Sequence, residues 1–149
     1  MTRPSLRILY VERFGNAPLD PQIAASVGQA VQGFSGIKTM GDGTFWSLSD
    51  NGFGNKLNST DAALMLHHIK FDWDKGTVVR METIFLTDPD RKAPFPIVLE
   101  GSEKRYLTGA DFDIESVQRA ADGTLWFGDE FGPFLLHTDA SGVVLEAPI

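Results

Sequence analysis

Residues 113–133, D-I-E-S-V-Q-R-A-A-D-G-T-L-W-F-G-D-E-F-G-P, constrain the fold more than any other part of the chain. Runs at 115–121 and 124–129 flank Asp122-Gly123. Asp-Gly between such runs predicts a hairpin closed by a two-residue type I′ turn, which needs positive φ at both positions. With that loop Arg119 faces Trp126, Ser116 faces Asp129 and Glu115 faces Glu130. Like charges directly opposite on a ladder destabilise it, their Cβ atoms lying roughly 4.5–5.5 Å apart. Three carboxylates at one open end therefore splay the hairpin or hold something cationic.

The same pattern occurs earlier. F-S-G-I-K-T-M-G-D-G-T-F-W-S-L-S-D-N-G-F-G, residues 34–54, aligns with the first stretch on Asp42-Gly43 and Asp122-Gly123. Ile37 then matches Val117, Trp46 matches Trp126 and Gly52 matches Gly132. Downstream, L-H-H-I-K-F-D and L-L-H-T-D each precede a turn and a Val-rich segment. Hairpin, acidic Gly-rich loop, third strand, turn and fourth strand make a repeat unit. A repeated four-stranded unit marks a β-propeller blade. The expectation is an all-β, β-propeller-like domain over 1–149, with copies at about 33–87 and 111–149. Propellers close with about four to eight blades, so two or three blades imply an incomplete propeller, cut short at its C-terminus. Its open sheet edges would then favour self-association. A further strand is expected over 6–12, an irregular or extended segment over 22–31, and a Pro-rich lengthened connection over 88–103.

Charge and composition narrow the partners. The net charge of −7 argues against nucleic acid and anionic membranes. No apolar run approaches the length of a membrane span. The chain has no cysteine, which excludes disulfides, thiolate metal sites and Cys nucleophiles. Residues 1–14 lack the apolar core of a signal peptide.

If the two copies are blades, their open ends lie on one side of the disc. Asp50, Asn51, Glu115, Asp129 and Glu130 then converge on a single rim. All offer oxygen, which suits a hard cation such as Ca²⁺ better than zinc or copper. Asp and Asn after strands also read simply as Asx turns, and that reading stays open.

G-F-S-G-I, G-D-G-T-F-W-S-L-S-D-N-G-F-G-N-K, L-T-G-A-D-F-D-I-E-S-V and D-G-T-L-W-F-G-D-E-F-G-P-F-L-L-H occur in this order over 33–149. Together they resemble the bacterial phytase-like family, described as having esterase-like activity of phytase. The usual D-P-E-G or D-P-E-S element of that family reads Asp113-Ile114-Glu115-Ser116 here. The missing Pro loosens the turn and keeps the acid. The resemblance implies a β-propeller in longer, often periplasmic or secreted proteins, and a phosphoester-hydrolase role based on kinship to phytases. The substrate class implied is a small phosphorylated or ester compound.

A phosphoryl group also needs cations, and Lys56 and Arg105 are the candidates near the acidic segments. Arg119 is expected to pack over Trp126. Ser35, in G-F-S-G-I, lacks the final glycine of a nucleophile elbow. His67, His68 and His137 read as packing or surface residues. The leading expectation is a metal-assisted phosphoester or ester hydrolase. The alternative is a non-catalytic propeller that binds a ligand or partner around a structural cation.

Overall fold

The computed structural model describes residues 33–149 and the backbone of two short strands, β1 (Asn16–Ala17) and β2 (Gln29–Ala30), which pair antiparallel. The strand expected over 6–12 lies outside the described residues. Strands β3 (Phe34–Thr39), β4 (Thr44–Ser49), β5 (Met65–Asp72) and β6 (Thr77–Phe85) form a four-stranded antiparallel sheet in sequence order. A second antiparallel sheet holds β7 (Ile114–Arg119), β8 (Leu125–Asp129) and β9 (Leu135–Thr138). The described residues contain no α-helix and one 3₁₀ turn at Lys56–Asn58. The architecture is all-β, and no closed propeller is found among the described residues. Among the described residues no helix is long and apolar enough to cross a membrane.

One apolar core joins the two sheets. Leu48, Leu66 and Ile84 of the first meet Val117, Leu125, Phe127 and Leu136 of the second, with Leu64 joining them from the segment before β5. Alternation explains which residues point inward: Leu125, Phe127 and Asp129 are buried along β8, while Trp126 and Gly128 lie half-buried between them. Strand β7 runs beside β3 and β4. Gly36 lies at this seam, close to the Glu115 carbonyl. Lys38 Nζ donates to Gln118 Oε1 at 2.9 Å across the same seam.

The hairpin register differs from the sequence expectation by one residue. Arg119 pairs with Leu125, Gln118 with Trp126 and Ser116 with Gly128. Gly123 has φ of +92°, but Asp122 stays out of the positive-φ region. The Asp122 carboxylate instead accepts from Thr124 N at 3.0 Å and Thr124 Oγ1 at 2.8 Å. Ala120 N donates to Thr124 O, and Gly123 N donates to Ala120 O. That is a three-residue loop whose glycine alone is left-handed, not a type I′ turn. The first hairpin also has a three-residue loop, here with Gly41 and Gly43 both at positive φ, and sets Lys38 opposite Trp46 and Ile37 opposite Ser47. Both ladders then shift again near their open ends, between Phe34 and Gly36 and between Ile114 and Ser116. Ser35 and Glu115 are the residues displaced by these bulges.

Two other expectations are revised. Residues 88–103 are more than a lengthened connection: Ala93 and Ile97 are buried, and Ile97 joins the main core. After the Ser141-Gly142 turn there is no continuous fourth strand. Val144 bridges Thr138, Leu145 N donates to His137 O, and Ile149 pairs with Leu135. Pro148 has no N–H to extend that ladder.

Candidate metal centre and adjoining residues

The bulge at Glu115 builds the acidic centre. Displaced from the ladder, Glu115 stands with Asp113 and Glu130 so that one oxygen of each carboxylate lies within 4.8 Å of the others. Asp113 is buried, Glu115 half-buried and Glu130 exposed, so the group opens from the core towards solvent. Burial pushes the Glu115 carboxyl above its ordinary range, opposed by a hydrogen bond from Ser35. The charges of Asp113, Asp50 and Glu130 add to the rise. The two bulged residues thus meet across the seam between the sheets.

Each neighbour has a definite task. Asn51 is buried and donates to Asp113 twice, from its backbone N at 3.2 Å and from Nδ2 at 2.6 Å. Its own Oδ1 accepts from Phe53 N at 3.2 Å and Gly54 N at 2.7 Å. Asp129 is buried beneath the group; its oxygens take Asp113 N at 2.6 Å and Gly132 N at 2.7 Å. Glu130 N donates to the Asp113 carbonyl at 2.9 Å. Asp50 Oδ1 accepts from Gly52 N at 2.7 Å, an Asx turn, while its charge still reaches Glu115. Gly109 completes the wall, because a Cβ there would overlap the Asn51 carbonyl.

Of the five acidic and amide residues singled out from sequence, Glu115 and Glu130 stand in the compact carboxylate group. Asp50 and Asn51 lie beside it. Asp129 sits behind it, with both oxygens engaged by backbone amides. Asp113 is the member that sequence reasoning passed over. Its signal was present in D-I-E, because residues two apart point to the same side of an extended segment.

The two cations part company. Lys56 lies over the Phe131 ring, 4.7 Å from its centroid, on the loop that follows Asn51. Arg105 turns inward: it is buried, pairs with the buried Asp88, and meets Glu100 Oε2 at 2.9 Å and the Phe95 carbonyl at 3.1 Å. Its guanidinium is thereby directed to internal acceptors, away from any ligand in solvent. Arg119 does not cover Trp126; His137 stacks there at 3.9 Å instead, with Glu146 2.6 Å from its Nδ1. His67 is fully buried between Ser49 Oγ and Thr83 Oγ1, and burial pushes its pKa down to about 3.

Three carboxylates within mutual reach, with one held at higher proton affinity by burial first and by neighbouring charge second, can bind a metal ion, and the all-oxygen donor set suits a hard one. Among curated proteins and solved structures nothing matches the chain. A family model matches residues 29–149, spanning both sheets and every residue of the acidic group. The chain therefore belongs to the phytase-like family, described as having esterase-like activity of phytase.

Proposed function

We infer that this chain carries the metal-assisted centre of a phosphoester or ester hydrolase, on one rim of an incomplete β-propeller. The observation that supports the reading most is the packing of Asp113, Glu115 and Glu130 within 4.8 Å, a charge density that favours a divalent cation. Family membership supplies the hydrolase class. Asp113, Glu115 and Glu130 would be the direct ligands, and Ca²⁺ is the first candidate because every donor is oxygen. Asp50 adds charge at the edge. Asn51 fixes Asp113, and Asp129 fixes the backbone that presents Glu130. A cation bound here supplies Lewis-acid polarisation of the ester oxygen and a water of lowered pKa. Glu115 must release its proton for the cation to enter, so affinity rises with pH through the acid range. Lys56 would meet the negative charge of a small phosphorylated substrate.

One observation favours a second reading. The Asn51–Asp113 bonds tie together loops from the two sheets, so a cation that drew in Asp50 beside Asp113 would also fasten one sheet to the other. In that reading the ion is structural and the domain binds rather than hydrolyses. Turnover of phosphomonoesters and carboxylic esters, with Ca²⁺ and with chelator, separates the two. Hydrolysis predicts Ca²⁺-dependent turnover that Glu115→Ala abolishes while the fold persists. A Ca²⁺-dependent rise in melting temperature with no turnover on any substrate would sink the hydrolytic reading.

A further inference from the structure

A second feature adjoins the acidic group and has a different chemistry. A cleft of about 230 Å³ is lined by Lys56, Phe95, Pro96, Asp111, Phe131 and Phe134, among others. Phe131 follows Glu130 directly in the chain, and Gly132, which also lines the cleft, donates its N–H to Asp129, so the cleft borders the loop that carries Glu130. Its aromatic wall is braced: Phe95 and Phe134 stack at 5.7 Å, and Phe112 meets Phe134 edge-on at 6.1 Å from the core. Gly132 leaves the Phe134 ring its place, because a Cβ there would overlap the ring.

Two charged side chains line this cleft, and they are not equivalent. The Asp111 carboxylate is engaged within the protein: it accepts from Val98 N at 2.9 Å, Thr108 N at 2.8 Å and Thr108 Oγ1 at 2.8 Å. The Lys56 ammonium is exposed and held over the Phe131 face. A cation over an aromatic ring retains donors for an anion on its solvent side. The other basic groups of this region point elsewhere. Arg105 is turned inward to Asp88 and Glu100, and Lys104 lies over Tyr106, lining a separate cleft. A polyphosphate needs several cations around it, whereas this cleft presents one cation and an apolar wall.

We propose that the cleft is a subsite for the ring of a compound carrying a single phosphoryl group: the ring packs on Phe131 and Phe134, and Lys56 pairs with the anion. That such a compound is a substrate rests on the hydrolytic reading of Asp113, Glu115 and Glu130; its binding does not. An aryl or cyclic monophosphate is therefore preferred over a highly phosphorylated ring.

The test is calorimetric titration of the full chain, in chelator, with benzylphosphonate, which cannot be hydrolysed. Methylphosphonate and inositol hexakisphosphate are titrated alongside. Benzylphosphonate should bind about tenfold more tightly than methylphosphonate, since only it has a ring to bury. Phe131→Ala should abolish that preference, and Phe131→Leu should keep part of it if the first variant folds poorly. Lys56→Gln should weaken both phosphonates about fivefold and leave their ratio unchanged. Equal affinities for the two phosphonates overturn the subsite, as does an unaltered preference in both Phe131 variants. Tighter binding of inositol hexakisphosphate overturns it too. Intact benzylphosphonate selectivity with no ester turnover instead overturns the hydrolytic reading and leaves the subsite standing.

Discussion

Neutralising Glu115 should stabilise the metal-free protein. The three carboxylates lie within 4.8 Å of one another. At such a separation a pair of like charges costs about 1 kcal/mol in a water-like medium and more as the site dries. Glu130 is exposed, so the water-like figure is appropriate for its pair with Glu115, and the buried Asp113 contributes at least as much. Glu115→Gln removes both repulsions. An amide oxygen still accepts from Ser35, so the opposing hydrogen bond survives. The net gain is about 1–2 kcal/mol after screening. For a chain of this length that raises the melting temperature by roughly 3–6 °C in chelator. The sign with pH is definite. The folded-state pKa of Glu115 is raised above its ordinary 4.5, so the folded protein keeps a proton that the unfolded chain releases. The full contribution is present below that ordinary value and is lost as pH rises through the raised one. The Gln variant should lack this slope. Adding Ca²⁺ should reverse the ranking, because wild type gains stability by mass action and the variant gains little. Thermal melts of both proteins across pH, with Ca²⁺ and with chelator, measure all of this. A variant less stable than wild type in chelator, beside a wild type indifferent to Ca²⁺, would refute the repulsion argument.

Other perturbations reach the scaffold. Gly109→Ala drives a methyl into the Asn51 carbonyl and should cost about 2–3 kcal/mol, with Ca²⁺ affinity falling alongside melting temperature. Arg105→Met leaves the fully buried Asp88 without its ionic partner; a loss of about 3–5 kcal/mol is expected by denaturant titration. His67 has its pKa lowered from 6.5 to about 3, so its contribution is complete above 6.5 and is lost as pH falls towards 3. The slope approaches about 1.36 kcal/mol per pH unit, and His67→Gln should flatten it in acid melts.

Much of the fold can be read in the chain because glycine and aromatic spacing fix hairpins directly. Both Asp-Gly turns, the Trp46 and Trp126 strands and the third strands at 65–72 and 135–138 follow from that spacing. Register does not. Whether Asp-Gly makes a two-residue or a three-residue loop depends on the φ of Asp122. A local competition decides it: the carboxylate binds Thr124 more favourably than the residue adopts a left-handed backbone. The longer loop and the bulge at Glu115 together shift the open end by two residues, setting Ile114 instead of Ser116 opposite Asp129, and Asp113 takes the place expected for Asp129 in the compact acidic group. Arg105 misled for a different reason. Its partners Asp88 and Glu100 lie in a loop whose inward fold depends on buried Ala93 and Ile97, a tertiary fact with no local periodicity.

The bonds from Asn51 to Asp113 have a kinetic consequence. They join residues separated by 62 positions, and each partner belongs to a hairpin that forms from local contacts. Hairpins close in microseconds, whereas joining distant segments pays its loop entropy first. The three acids sit at the open end of the β7–β8 hairpin and meet when it closes, whereas the Asn51 bonds and the Asp50 charge are added only when the two sheets dock. A metal that drew on Asp50 as well as the hairpin's acids would find its full site only after docking, and would slow the parting of the sheets more than it hastened their formation. Its mark would be a lengthened native lifetime, with the folding rate almost untouched.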